Sequence, residues 1–347
     1  LDDKRRVVSA GRALRAHLET WRPYTMWYPG LVALGGAALI GGPHHPWRLF
    51  AAWLAPTAGW LGGHYLGDFF DRELDAISKP QRPIPSGRLS PNVARICGCG
   101  CFTVLAVLAV AGGLVTTGAA VLGALGIVGY SRWLKARGVA GNLIRGALGA
   151  LALLYGAAAI GQHPTGRLWP ALLLLAVGWL LHDTASNLVG AIRDVEGDRA
   201  GGYRTLPVRQ GSERAVRVAI GLYAGAFVAA LAGGLLAGRG NRPVFGLTML
   251  LVAVLALVAF APLVRHRSAV ARPVALRAHS ALVIERVILA AGVLGLGLGA
   301  GWQIGLAVPI VVLTWWTQSA MRTRHELGTA RPAAVQPAGP VSREEVS

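Results

Sequence analysis

Apolar residues along this chain gather into long runs, each closed by a short polar or glycine- and proline-containing segment. The runs at residues 24–42, 49–66, 92–114, 117–131, 146–161, 168–189, 216–238, 244–264, 280–299 and 303–320 predict ten helical spans. A bilayer core needs about 20 helical residues at ~1.5 Å rise, and these runs centre on that length. Only 14% of the 347 residues are charged, against about 25% in a soluble domain. The pattern predicts an all-α, polytopic membrane bundle of 9–10 transmembrane helices. A basic segment, 1–22, precedes the spans at 23–321, and a polar, disordered Ala/Pro-rich tail, 322–347, follows them. Whether the last apolar region is one span or two stays open.

Charge alters this picture in one respect. A net +18 on a soluble domain would point to nucleic acid, but repeated membrane-length runs exclude that reading. The basic excess reads as topology instead. With residues 1–22 inside, every lysine and arginine of the 34 falls on the cytoplasmic side except Arg48, Arg167, Arg239, Arg242 and Arg286. Arginine far outnumbers lysine, and alanine and glycine abound, which suggests a multi-pass protein of a bacterial cytoplasmic membrane. The first run is too long for a signal-peptide core, so no cleaved leader is expected. Residues 1–22, with Val7, Val8, Leu14 and Leu18, are expected on the lipid surface or loose in solvent. Cys97, Cys99 and Cys101 diverge around a helix and read as small apolar filler. Gly123, Gly126, Gly129, Gly292, Gly295 and Gly299 read as helix-packing positions.

The chemistry is concentrated in two polar windows. Gly67–Ser90 holds Asp68, Asp71, Glu73 and Asp75, then Lys79, Arg82 and Arg88; Asp194–Asp198 holds Asp194, Glu196 and Asp198, with Arg199, Arg204 and Arg209 after it. Seven of the 16 acidic residues therefore lie in two short segments. On a continuing helix Asp68, Asp71 and Asp75 share a face, and Asp194 and Asp198 stand one turn apart. Carboxylates so placed repel one another unless a divalent cation relieves them, and Mg²⁺ favours one or two carboxylates together with phosphate oxygens. The windows are expected to face each other across a site for metal and diphosphate, with Asp68, Asp71, Asp75, Asp194 and Asp198 as metal ligands. Pro80, Pro83 and Pro85 stop the helix and stiffen the loop that presents Lys79 and Arg82. Arg132, Lys135, Arg137 and Arg145 either anchor the interface or reach the diphosphate. His182, Asp183 and Asn187, costly inside a span, are expected to face the site, as is His64. Glu285–Arg286 is either a self-paired ion pair or part of a pocket.

These motifs resemble the UbiA superfamily of intramembrane prenyltransferases. Gly67-Asp68-Phe-Phe-Asp71-Arg72-Glu-Leu-Asp75 with Lys79-Pro-Gln-Arg82-Pro-Ile-Pro-Ser-Gly87 is similar to its first signature, in which the leading residue is Asn where this chain has Gly67. Asp194-Val-Glu-Gly-Asp198 is similar to the second, and Tyr130–Lys135 to a further family element. The resemblance implies a bundle around a central cavity, and a class of reaction. Mg²⁺ held by the two aspartate sets meets an isoprenyl diphosphate, whose prenyl group passes to a lipophilic acceptor, aromatic, quinone-precursor or lipid, as diphosphate leaves. Arg22, Arg72, Lys79, Arg82 and Lys135 then attend the diphosphate, and His64, Asp183 and Asn187 line the substrate pocket. A terpene cyclase of the same superfamily is the alternative, and a transporter a more distant one. Prenyl chain length, oligomeric state and the base among Asp68, His64 and Asp183 stay open.

Overall fold

The computed structural model of the chain describes residues 2–41, 46–237 and 242–327. Helix α1 (Asp2–Trp21) ends at Arg22, whose φ of 51° turns the chain into α2 (Pro23–Met26) and α3 (Tyr28–Ile40). The long α4 (Pro46–Phe70) runs almost directly into α5 (Arg72–Ser78). Then come α6 (Pro91–Gly112) and α7 (Leu114–Gly129), which passes through a π-helical turn, Tyr130–Leu134. The strand β1 (Arg137–Gly138), α8 (Ala140–Ala159), α9 (Leu168–Arg193), α10 (Val195–Ala200) and β2 (Arg204–Thr205) follow. The chain closes with α11 (Leu206–Ala237), α12 (Arg242–Arg265), α13 (Arg272–Leu298), α14 (Ala300–Thr317), a second π-helical turn, Gln318–Arg322, and α15 (Thr323–Leu327).

The all-α expectation holds, and each of the ten apolar runs is mainly helical over its described residues. Among the described residues eight helical stretches, from Pro91–Gly112 to Ala300–Arg322, are long and apolar enough to cross a membrane. Of the other two, α3 has 13 residues and spans only about 20 Å. The C-terminal apolar region is two helices, because Gly299 with φ 90° breaks it in a conformation that a Cβ disfavours. Helices α13 and α9 are the most enclosed of the eight, with 72% and 67% of their apolar windows buried, so they form the centre. Leu114, Leu125, Leu257 and Trp316 on peripheral helices stay exposed, as lipid-facing side chains do.

The closest helix contacts also involve glycines that the sequence reading did not name. A Cβ on Gly36 would overlap the Leu153 carbonyl, one on Gly156 the Ala33 carbonyl, and one on Gly146 the Leu180 carbonyl. These contacts lock α3 to α8 and α8 to α9. Gly292 and Gly295 are tight against Thr248 and Gln303 as expected, but Gly129 faces nothing nearer than Trp133 at 4.0 Å.

Two terminal expectations are corrected. Helix α1 is docked rather than loose: Ala16 and Thr20 are buried, Glu19 meets Arg88 at 2.7 Å, and His17 and Trp21 both reach the Tyr65 hydroxyl at 2.6 Å. The side chains of Val7 and Val8 lie outside the described residues. The expected disorder from residue 322 fails for 322–327, which are helical with Arg322, His325 and Glu326 buried. Residues 328–347 lie outside the described residues.

Candidate active site

The bundle encloses a cavity of about 410 Å³ at the end where α4, α9 and α13 meet the polar loops. The first acidic window reaches it because helical hydrogen bonding continues past Phe70: Asp71 N–H donates to Gly67 O and Asp75 N–H to Asp71 O, both at 2.8 Å. Asp68, Asp71 and Asp75 therefore keep one face, and all three line the cavity. The proline-rich loop folds back on itself, with Arg82 N–H donating to Lys79 O and Ser86 N–H to Arg82 O at 3.0 Å each. Lys79 and Arg82 are thereby aimed inward and buried. In the second window the Asp198 N–H donates to Asp194 O at 2.8 Å, and Thr205 Oγ1 donates to the Asp198 carboxylate at 3.1 Å. Strands β1 and β2 pair in parallel, Arg137 with Arg204 and Gly138 with Thr205, tying the loop after α7 to this window.

The two windows face each other. Lys79 Nζ lies 3.3 Å from Asp194 Oδ1, and a Cβ on Gly197 would sit 3.2 Å from Ser78 Cβ. Four of the five aspartates are met by a cation: Asp68 by Arg22, Asp71 by Lys135 at 2.6 Å, Asp75 by both Arg82 contacts at 2.8 and 3.0 Å, Asp194 by Arg193 at 2.6 Å; Asp198 is held by Thr205 instead. Burial would raise the Asp194 carboxyl, but Arg193 and Lys79 hold it well below the usual range. Asp198, pushed up first by burial and then by Asp194, rises to about 6. Burial, helped by Arg82, draws the Lys79 ammonium down against Asp194 and Glu326. Lys135 is also buried, yet Asp71 raises it above the ordinary lysine range.

Most of the expected site residues converge here. Arg22, His64, Asp68, Asp71, Asp75, Lys79, Arg82, Lys135, Asp183, Asn187, Asp194 and Asp198 all line the cavity. Arg72 does not: it turns back to the Phe69 carbonyl at 2.8 Å and to Glu73 at 2.9 Å, covering the Phe69 ring. Arg137 is exposed, and Arg132 stacks near Phe70 and Trp133 away from the lining. His182 faces away as well, bonded to Glu285 at 2.5 Å. Glu285 also accepts from the Tyr223 hydroxyl at 2.9 Å, so it is not Arg286's partner, and Arg286 alone points into the cavity.

Several lining residues escaped sequence reasoning. Glu326 of α15 lies 3.0 Å from Lys79, 3.5 Å from Arg82 and 3.5 Å from Arg193. Burial would raise its carboxyl; Arg193, Lys79 and Arg82 outweigh that and hold it well below the usual range. Its segment is latched by Gln81 donating to His325 O at 3.0 Å and Arg272 donating to Glu326 O at 2.7 Å. No local pattern marks Glu326, which sits in a polar tail. A signal did exist for Arg272 and His279: with Arg286, already named as a pocket candidate, they recur every seven residues along α13.

The donor set suits a divalent ion shared with phosphate. Four carboxylates, Asp71, Asp75, Asp194 and Asp198, border one cavity beside Lys79, Arg82 and Lys135. Among the described residues no three His, Cys, Asp or Glu side chains converge on a single point. That spacing fits Mg²⁺, which takes one or two carboxylates and completes its shell with water and phosphate oxygens, better than it fits an ion held in an all-protein cage.

A membrane-embedded helical enzyme with a carboxylate- and cation-lined cavity at one end is the class that the fold and site define. Residues 29–281 match the sequence profile of the UbiA prenyltransferase family. Digeranylgeranylglyceryl phosphate synthase of Methanopyrus kandleri is 37% identical over 210 residues, 59% of this chain and 73% of that protein. The enzyme of the same name from Halobacterium salinarum is 35% identical over 225 residues, 64% and 78% respectively. A UbiA homolog from Aeropyrum pernix superposes with TM-score 0.66 at 16% identity, covering 77% of this chain and 96% of that one. A homolog from Archaeoglobus fulgidus solved with GPP and Mg²⁺ superposes with TM-score 0.59 at 17% identity, covering 80% and 99%. The chain belongs to the UbiA prenyltransferase family and is a multi-pass membrane prenyltransferase.

Proposed function

We propose that this cavity ionises an isoprenyl diphosphate and passes the prenyl group to a lipid acceptor of the glycerophosphate type. The observation that carries the reading is the pairing of the two aspartate windows across one cavity by Lys79 and Asp194, 3.3 Å apart. Asp71, Asp75, Asp194 and Asp198 would hold Mg²⁺, with Asp68 behind them, and the metal would supply the charge neutralisation that a leaving diphosphate needs. Lys79, Arg82, Lys135 and Arg22 donate to its oxygens, and the ion pairs they now make with Asp194, Asp75, Asp71 and Asp68 keep them oriented beforehand. An apolar crevice shares Trp60 and Ile127 with the cavity and continues along Pro56, Leu105, Ala120 and Leu148, a path suited to a hydrocarbon tail. His64, Asp183 and Asn187 border the acceptor's side. The glycerophosphate acceptor is suggested by the archaeal relatives, whose name describes a glyceryl phosphate bearing two geranylgeranyl groups. The distribution of lysine and arginine supports a cytoplasmic mouth, and the arginine-rich composition a bacterial membrane.

The test is turnover of geranylgeranyl diphosphate with Mg²⁺ and an alkylglycerol phosphate, reading diphosphate release and the prenylated lipid. Asp71→Ala with Asp194→Ala is expected to abolish both signals. Undiminished release in that double variant, or a cyclic hydrocarbon made without acceptor, refutes the reading.

A further inference from the structure

Below the aspartate windows the cavity changes character. Helix α13 presents Arg272, His279 and Arg286 to it at seven-residue intervals, each about 10 Å further along the axis. Arg272 stands at the mouth, bonded to the Glu326 carbonyl, so Arg286 lies roughly 20 Å deeper. Its guanidinium covers the Tyr28 ring at 4.2 Å; its nearest carboxylate oxygen, on Asp183, is 3.8 Å away, and its Nε has no hydrogen-bond partner. Arg145 of α8 lies 4.2 Å over Trp60 and 5.4 Å over Tyr130 and makes no ion pair among the described residues. Arg322 donates to His279 Nδ1 at 2.6 Å and to Gln318, and its Nε is likewise unpartnered. Arg286 and Arg322 are 5% and 2% exposed. Arg286 and Arg145 therefore share one nearby carboxylate, Asp183, and Asp183 already accepts from the Tyr28 hydroxyl. At the mouth the same count of cations would be matched by aspartates. Here they are not, and an excess of buried positive charge with unused N–H donors is stable only beside an anion.

We propose that Arg286 and Arg145 form an anion subsite that holds the acidic headgroup of the acceptor lipid, a phosphate monoester or carboxylate, apart from the site for the prenyl diphosphate. The inference rests on the prenyl-transfer reading and assigns the residues that select its acceptor. Planar guanidiniums bind such groups in bidentate fashion, and the rings of Tyr28 and Trp60 hold these two in place. On α9 the next cavity-lining positions toward the windows are Ser186 and Asn187. Ser186 Oγ and, across from it, Asn142 Nδ2 have no hydrogen-bond partner, while Asn187 donates to Asn142 Oδ1 at 2.7 Å. An acceptor anchored at Arg286 thus places its hydroxyl among these amides and below Asp194. There the C1–O bond to diphosphate breaks first, with the electron pair going to diphosphate; the hydroxyl oxygen then bonds to the prenyl C1, and its proton passes to the departed diphosphate.

The full chain in detergent, with Mg²⁺ and geranylgeranyl diphosphate, is offered an alkylglycerol phosphate, its carboxylate analogue or the neutral alkylglycerol. The native protein is expected to prefer the anionic acceptors by about ten- to a hundred-fold in kcat/KM, the range for losing a charged hydrogen-bonded contact. The phosphate and carboxylate arms tell the two headgroups apart. Arg286→Met is expected to raise the KM of the alkylglycerol phosphate at least ~10-fold while leaving that of geranylgeranyl diphosphate within about two-fold. Because Arg286→Met strips Asp183 of its cation and threatens folding, Arg145→Gln, which unpairs no carboxylate, serves as the second variant, and Arg286→Lys is expected to recover part of the loss. Calorimetric binding of alkylglycerol phosphate without prenyl diphosphate reads the subsite independently of turnover, and Arg145→Gln is expected to weaken it. Absence of turnover with intact, Arg145-dependent lipid binding sinks the prenyl-transfer reading and leaves the subsite standing. Preference for the neutral alkylglycerol, or variants that raise both KM values equally, overturns the subsite.

Discussion

Glu326→Gln is the substitution on which the described geometry makes its sharpest demand. The carboxylate sits at 3.0 Å from Lys79 and 3.5 Å from Arg82, both proposed to meet the diphosphate, and 3.5 Å from Arg193 beside them. A hydrogen-bonded contact to a charged group contributes about 1.5–3 kcal/mol. The three cations keep other partners when Glu326 is neutralised: Arg82 retains Asp75 at 2.8 Å, Lys79 retains Asp194 at 3.3 Å and Arg193 retains Asp194 at 2.6 Å. The loss is therefore that of one strong contact, about 2 kcal/mol, rather than of three. An incoming anion that displaces Glu326 gains that amount once the competitor is gone, about 30-fold in affinity. Calorimetric titration of inorganic diphosphate at fixed Mg²⁺ into the native chain and Glu326→Gln reads this difference, with a ligand-free melt expected to fall at the same time. Unchanged or weaker diphosphate binding in Glu326→Gln would refute the view that this carboxylate and the diphosphate compete for the same cations.

Gly67 lines the cavity, and a Cβ there meets only Ser131 Oγ at 3.9 Å, so Gly67→Asn is expected to fold normally and lower the Mg²⁺ concentration for half-maximal turnover. Burial and Asp194 raise Asp198 to about 6, and in the proposed role it holds Mg²⁺ only as the carboxylate, so the Mg²⁺ requirement is expected to rise as pH falls through 6, by up to ~10-fold per unit below it; a flat requirement between pH 7 and 5 contradicts this. Gly156→Leu forces side-chain atoms into the Ala33 carbonyl and is expected to cost about 3 kcal/mol or more, seen as a lower melting temperature in detergent, whereas Gly118→Leu, in open space, is expected to be neutral.

Much was legible in the sequence because membrane helices obey a local rule. Without water to satisfy the backbone, an apolar run must be helical, so run lengths alone indicated the class and the spanning helices. Carboxylates in such a chain are costly unless they serve something, which is why Asp68, Asp71, Asp75, Asp194 and Asp198 stood out and why all five line one cavity. Their helical spacing survived because the hydrogen bonds through Asp71 are local too. What a side chain meets across the bundle was not legible. Arg72 lies within the motif, yet it folds back on Phe69 and Glu73; Glu285 and Arg286 are adjacent, yet one turns to His182 and the other into the cavity. Glu326 comes from a polar segment that looks unstructured, because its order depends on Gln81, Arg272 and the cations of distant loops. Sequence by itself determined the helices and the two acidic windows, since hydrophobicity and helical period act over a few residues. Only the tertiary structure decided which charges share the cavity, because that depends on contacts between residues as far apart as Lys79 and Glu326.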